Sequence, residues 1–126
     1  MTCECGSGKT WKVCCAPLLL QGKSAATAEA LMRSRYVAYV RRDADYLHKT
    51  WASSTRPSKA SLKQLAPTDW QGLDVIRVEL GGEDDSTGLV EFIAHWRDEQ
   101  GMMQRLHETS QFVREKGRWV YVEALT

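Results

Sequence analysis

Residues 89–97, Leu89-Val90-Glu91-Phe92-Ile93-Ala94-His95-Trp96-Arg97, alternate between two kinds of side chain. Val90, Phe92, Ala94 and Trp96 fall on one face of an extended chain, with Leu89, Glu91, Ile93, His95 and Arg97 on the other. Successive Cβ atoms of a strand point to opposite faces, so a period of two marks a strand packed on one side. The same period recurs outward from this segment. Upstream, Leu73, Val75 and Arg77 oppose Asp74, Ile76 and Val78, and the run closes on Gly81-Gly82 and the acidic turn Glu83-Asp84-Asp85. Downstream, residues 104–114 place Leu106, Glu108, Ser110 and Phe112 on one side. Lys116-Gly117 supplies a tight turn, and residues 118–123 return with Trp119 and Tyr121 on one face. Four successive strands joined by turns predict an antiparallel meander.

Before the strands the period is helical. Residues 28–42 contain no glycine or proline, Thr27 is placed to cap them, and Met32, Tyr36, Tyr39 and Val40 form one apolar stripe. A second short helix is expected over 43–51, burying Tyr46, Leu47 and Trp51, and a third over 58–65, ended by Pro67. Residues 21–27 read as a polar connector. Three helices followed by about four strands give the α+β class, with the sheet curled around the long first helix.

A chain of 126 residues suits one compact domain with a small appendage. Hydrophobic residues make up 43% and charged residues 26%, and five tryptophans and four tyrosines supply material for a core. The formal net charge of +1 excludes a whole-molecule field that would draw in nucleic acid or anionic lipid. No apolar run approaches the roughly 20 residues that cross a bilayer, and Ala16-Pro17-Leu18-Leu19-Leu20 lacks the basic leader of a signal peptide. The expected location is therefore the cytosol, away from membranes, where structural disulfides are rare.

All four cysteines lie in the first 15 residues, as Cys3-x-Cys5 and Cys14-Cys15. A disulfide framework would be spread over the fold it staples, so clustering points to one structural Zn2+ held by Cys3, Cys5, Cys14 and Cys15. Gly6-Ser7-Gly8 permits the reversal that joins the two pairs. Trp11 and Val13 are expected to pack over this knuckle, and Lys9 and Lys12 to offset the charge of four thiolates. So short a segment cannot fold on its own apolar area, and zinc would contribute about 10–16 kcal/mol. The alternatives are a redox-active pair or free thiols in a frayed tail. Gly8-Lys9-Thr10 imitates the end of a phosphate-binding loop, but Cys3 stands where that motif needs its first glycine.

Cys3-Glu4-Cys5-Gly6-Ser7-Gly8-Lys9 followed by Cys14-Cys15 resembles the SEC-C motif, named for the zinc-binding tail of the SecA translocation ATPase. In that tail the last two ligands are cysteine and histidine, whereas here both are cysteine. Leu31-Met32-Arg33-Ser34-Arg35-Tyr36, Asp45-Tyr46-Leu47, Thr50-Trp51, Glu108-x-Ser110-x-Phe112 and Gly117-x-Trp119-x-Tyr121 are similar to the bacterial YchJ family. That resemblance covers essentially the whole chain. It implies a SEC-C knuckle over 1–22 and a domain over 26–126 similar to nuclear transport factor 2, a cone of helices against a curved sheet. Some relatives carry a second knuckle at the C-terminus; the absence of cysteine there limits this chain to one zinc. The family implies a fold and a metal but no reaction.

Cones of this type often enclose a pocket between sheet and long helix, for which Arg33, Tyr36, His95, His107, Glu108, Ser110, Trp119 and Tyr121 are candidates. A Glu108 carboxylate among apolar neighbours would have its pKa pushed upward, as a general base requires. The plainer expectation is an ion pair with Arg33 or Arg35. His107 faces away from Glu108 and forms no dyad with it. The enzyme reading rests on fold analogy alone. The leading expectation is a zinc-braced interaction module that offers Lys9, Thr10, Trp11 and Lys12 to a protein or ribonucleoprotein. A pocket protein or enzyme acting through Glu108 comes second. Nucleic acid binding by Arg33, Arg35, Arg41 and Arg42 of the helix ranks third. Nothing indicates the oligomeric state.

Overall fold

Thr27 opens the long helix α2 (Ala28–Arg41), its Oγ1 accepting a hydrogen bond from Ala30 N at 3.1 Å. The computed structural model describes all residues, Met1–Thr126. Ahead of α2 lies a short helix, α1 (Ala16–Gln21), with Pro17 in its first turn and Gly22 ending it in the left-handed region at φ 69°. No helix was expected here; a proline in the first turn removes no helical hydrogen bond, so Pro17 begins α1 rather than breaking it. Asp43 caps α3 (Ala44–Lys49) and Ser58 caps α4 (Lys59–Lys63), both inside the expected segments. Of the apolar stripe on α2 only Tyr36 is buried. Met32 and Tyr39 are half-buried, because a cavity lies in front of them.

The sheet is the predicted meander, β1 (Asp69–Leu80), β2 (Thr87–Arg97), β3 (Met103–Glu115) and β4 (Arg118–Ala124), in the order β1-β2-β3-β4 with every pair antiparallel. The strand β1 begins earlier than expected, since Trp70 pairs with Trp96 beyond a bulge at Gln71. A second bulge at Ile76 shifts the phase of the strand. In consequence Arg77 pairs with Glu91 on the outer face and Val78 with Val90 on the inner face, opposite to the alternation read from the sequence. Lys116 and Gly117 both adopt positive φ, 52° and 82°, the signature of a two-residue hairpin turn whose twist matches its strands.

The core falls into three groups, two of which join the concave sheet face to the helices. Ala25, Ala28, Leu31, Val90, Phe112 and Trp119 fill one end, where α2 starts against the β1–β2 turn and Ala28 N donates to Gly81 O at 2.9 Å. Ala38, Tyr46, Leu47 and Leu62 join the three later helices. In the third group Cys3, Cys5 and Cys15 pack with Tyr36, Val37, Leu73, Phe92 and Ala94, so the N-terminal knuckle is part of the core. The outer edge of β4 is covered: Ala52 N donates to Tyr121 O at 2.7 Å and Tyr121 N to Thr50 O at 2.8 Å. No helix is long and apolar enough to cross a membrane.

Candidate metal centre and cone cavity

The knuckle is a small hairpin. Cys3 N donates to Lys9 O at 2.8 Å and Trp11 N to Met1 O at 3.0 Å, while Gly6 and Gly8 reverse the chain at φ 79° and 85°. A single 3-10 turn, Trp11–Val13, then delivers Cys14 and Cys15 to the same place. All four Sγ atoms lie within 4.8 Å of one another, with Cys5 to Cys14 at 3.5 Å and Cys14 to Cys15 at 3.8 Å. Four thiolates at about 2.3 Å from one ion would stand about 3.8 Å apart. A disulfide needs about 2.05 Å, and all four cysteines are free. The donor set therefore fits a soft or borderline metal ion held entirely by protein sulfur.

The thiols share protons unequally. Cys5 is held down to about 4, chiefly by the Cys15 thiol donating to it, while Cys15 is raised by the same contact and Cys3 by burial. Ser7 Oγ lies 3.1 Å from Cys14 Sγ, a contact the sequence reading did not foresee.

Two arginines of α2 fasten the knuckle to the cone. Arg33 Nη1 donates to Cys5 O at 2.7 Å while its Nε pairs with Glu29 at 2.9 Å. Arg41 pairs with Glu4 at 2.7 Å and lies over the Trp11 ring, 3.8 Å from its centroid. Arg33, expected in the cone pocket, thus belongs to the knuckle. Lys9 and Lys12, expected to offset the thiolate charge, are exposed and form no ion pair. Val13 is 69% exposed rather than folded over the sulfurs, and Trp11 is half-buried beneath Arg41. The seat of the knuckle is close: a Cβ on Gly6 would stand 2.6 Å from Leu73 O.

The cone is hollow. A cavity of about 280 Å³ lies between α2 and the concave sheet face. Its walls are Met32, Arg35, Tyr36 and Tyr39 from α2, Trp70, Phe92 and Ala94 from β1 and β2, Leu106, Glu108 and Ser110 from β3, and Tyr121 from β4. Glu108 has no hydrogen bond and no ion pair, and burial pushes its pKa above the usual glutamate value. Ser110, also on this wall, is buried. Burial raises Tyr36 to about 12, and its ring meets Trp70 edge-on at 6.0 Å.

The expected pairing of Glu108 with Arg33 or Arg35 does not form. Arg35, only 3% exposed, donates through Nη1 to Leu47 O at 3.0 Å and Thr50 Oγ1 at 2.8 Å, and lies between the rings of Trp51 and Tyr121. Burial lowers its pKa, with the phenols of Tyr39 and Tyr121 opposing that shift.

Tyr36, Glu108, Ser110 and Tyr121 all line the cavity, whereas Trp119 does not. It is buried in the group around Phe112, with Nε1 donating to Ala26 O at 3.3 Å and Arg114 over its ring. Trp119 shares a face with Tyr121 but packs two residues earlier along β4, against the start of α2. His95 and His107 sit on the outer face, bonded to Asp74 at 2.8 Å and Glu91 at 2.7 Å. Trp70 and Leu106 were missed as lining residues. The stripe Met32, Tyr36, Tyr39 carried the signal, since it marks the helix face that looks into the cone.

Hollow cone and sulfur knuckle together define a SEC-C motif protein with a domain similar to nuclear transport factor 2. Known proteins agree. Residues 27–124 match the family model described as "YchJ, middle NTF2-like domain". A UPF0225 protein of Chromobacterium violaceum is 47% identical over 124 residues, spanning 98% of this chain and 91% of that one. A UPF0225 protein of Geobacter sulfurreducens is 37% identical, over 96% and 76%. The solution structure of a SEC-C motif containing protein from Rhodopseudomonas palustris is similar with a TM-score of 0.88 at 42% identity, covering 98% of this chain and 97% of that one. A crystal structure of a SEC-C motif containing protein from Psychrobacter arcticus gives 0.79 at 28%, covering 98% and 81%. The chain belongs to the YchJ family.

Proposed function

We propose that this protein binds a small molecule inside the cone, and that one structural zinc braces the knuckle forming part of that cone's wall. One observation supports this reading above others: an unpaired carboxyl group, Glu108, faces an aromatic-lined hollow of about 280 Å³. Protein interiors are close-packed, and even a half-buried carboxyl without a partner costs some stability, so both features mark a place kept for a ligand. Glu108 is the group able to take or give a proton there. The zinc has four sulfur ligands and no open position, so its part is to hold the fold. Four clustered thiols suit the reducing cytosol.

The test is a screen of small aromatic compounds by 15N NMR. Binders are expected to shift Tyr36, Trp70, Phe92 and Glu108 together, and Ala94→Phe, which fills the space, is expected to abolish those shifts. If no compound moves that set, the reading is wrong. Elemental analysis is expected to find one zinc per chain.

A second reading has its own observation. Val13 and Leu20 are 69% and 71% exposed, beside the free Lys9 and Lys12, which favours a protein docked on the knuckle. Capture of a partner unaffected by Val13→Asp with Lys12→Glu, in metal-loaded protein, would count against it. Nucleic acid gains no support from α2. Arg33 and Arg41 hold the knuckle, Arg35 is buried, and Arg42 bonds to Leu65 O at 2.9 Å.

A further inference from the structure

We propose that the ligand of the cone is a small, flat monocarboxylate whose carboxylate binds the guanidinium of Arg35. This rests on the reading of the cone as a ligand cavity and names the chemistry that cavity selects.

The argument starts from an unbalanced charge. Arg35 is 3% exposed, and a guanidinium keeps its proton in proteins, so a full positive charge is buried here. No carboxylate lies within ion-pair distance of it; its hydrogen bonds go to a carbonyl and a hydroxyl, both through Nη1. The aromatic rings at 4.9 and 4.7 Å recover part of the lost hydration. A buried charge without a counter-ion still carries a large desolvation cost.

The remaining donors are not sealed in. The bonds to Leu47 and Thr50 use only Nη1, and the one other protein group acting on the guanidinium as an acceptor is the phenol of Tyr39, itself a wall of the cavity; the one enclosed side-chain nitrogen or oxygen without a partner is Trp51 Nε1. The open space beside Arg35 is the cavity it lines. Two parallel N–H donors match the two oxygens of a carboxylate.

Charge and shape narrow the class. One guanidinium balances one negative charge. A dianion such as a phosphate monoester would bring a second charge into an apolar space that already holds Glu108 and no other cation. The rings of Tyr36, Trp70 and Phe92 favour a flat apolar body. At roughly 30 Å³ per water, the volume matches about nine waters, the scale of a single substituted ring. Leu106, 38% exposed, marks the mouth.

Phenylacetate and phenylacetamide differ in charge and barely in shape, so their affinities for the native, zinc-loaded protein at pH 7 test the assignment without disturbing Arg35. Phenylacetate is expected to bind at least about tenfold tighter, the margin of a charge-assisted over a neutral hydrogen bond, and to shift the Arg35 Nε–H signal. Glu108→Gln is expected to leave that preference intact or enlarge it. Both compounds shifting Trp70 and Phe92 with a smaller preference overturns the monocarboxylate while leaving the cavity reading standing. Neither compound shifting those residues overturns both.

Discussion

The Nη1 atom of Arg33 lies 2.7 Å from the carbonyl oxygen of Cys5, a residue 28 positions earlier in the chain. That bond crosses from the long helix to the sulfur-bearing hairpin and satisfies a carbonyl in the tightest part of the knuckle. Arg33→Met keeps the aliphatic stem and removes the donor. The expected cost is about 1–3 kcal/mol, the penalty of an unpaired, partly buried polar group. Urea unfolding of the metal-loaded protein measures it, and metal release to a chelator should accelerate. Unchanged stability and release would mean the bond only decorates the contact.

Gly6 and Gly8 separate two effects that a glycine can have. Both have positive φ, but a Cβ on Gly6 would meet Leu73 O at 2.6 Å, whereas one on Gly8 meets nothing within 4 Å. Gly8→Ala should therefore cost only the left-handed strain, about 1–2 kcal/mol. Gly6→Ala should cost clearly more, because the knuckle must also lift off β1, and the amide signals around Leu73 should move in that variant alone. Equal losses in the two variants would show that the knuckle does not rest on the strand.

Glu108 gives the fold a pH dependence of known sign. Its carboxyl pKa is raised by burial, so the folded chain binds the proton more tightly than the unfolded one does. The stability this contributes is present below the ordinary glutamate value of 4.5 and is lost as pH rises through the raised value. Glu108→Gln removes that loss. The urea midpoint of the variant should therefore gain on that of the native protein as pH increases from acid to neutral. A difference that stays flat with pH would place Glu108 in solvent.

Removal of the metal should be felt beyond the hairpin. Cys3, Cys5 and Cys15 share a buried group with Tyr36, Val37 and Phe92, so loss of the ion leaves four crowded thiols against the cone. Chelation is expected to weaken the near-ultraviolet circular dichroism of Trp70 as well as Trp11, and to lower the thermal midpoint of the whole chain in one transition. A cone that keeps its aromatic signal while the hairpin alone disorders would contradict this coupling.

The sheet was legible because residues 89–97 alternate cleanly, and Glu108 and Ser110 could be placed inside because Leu106 and Phe112 flank them at the same parity. Arg77 was read on the wrong face since a bulge adds one residue and reverses the alternation beyond it, with nothing in composition to announce it. Arg33 and Arg35 show the other limit. Two positions apart on a helix, they point about 160° apart, one to Cys5 and the other to Trp51 and Tyr121. Which direction meets the knuckle depends on where the knuckle docks, a tertiary fact absent from any local pattern. Helix α1 was hidden by Pro17, a residue that ends one helix and begins another with equal ease.

Tyr36, Phe92 and Ala94 back the sulfurs on one side and line the cavity on the other. A partition shared by a sulfur cluster and a cavity cannot be redesigned for one of them alone. Grafting the hairpin onto another scaffold would strip it of its floor, and cutting the chain before Ser24 would uncover the far side of the chamber. Any attempt to reshape that chamber's selectivity at these three positions should be scored first for metal retention and only then for affinity.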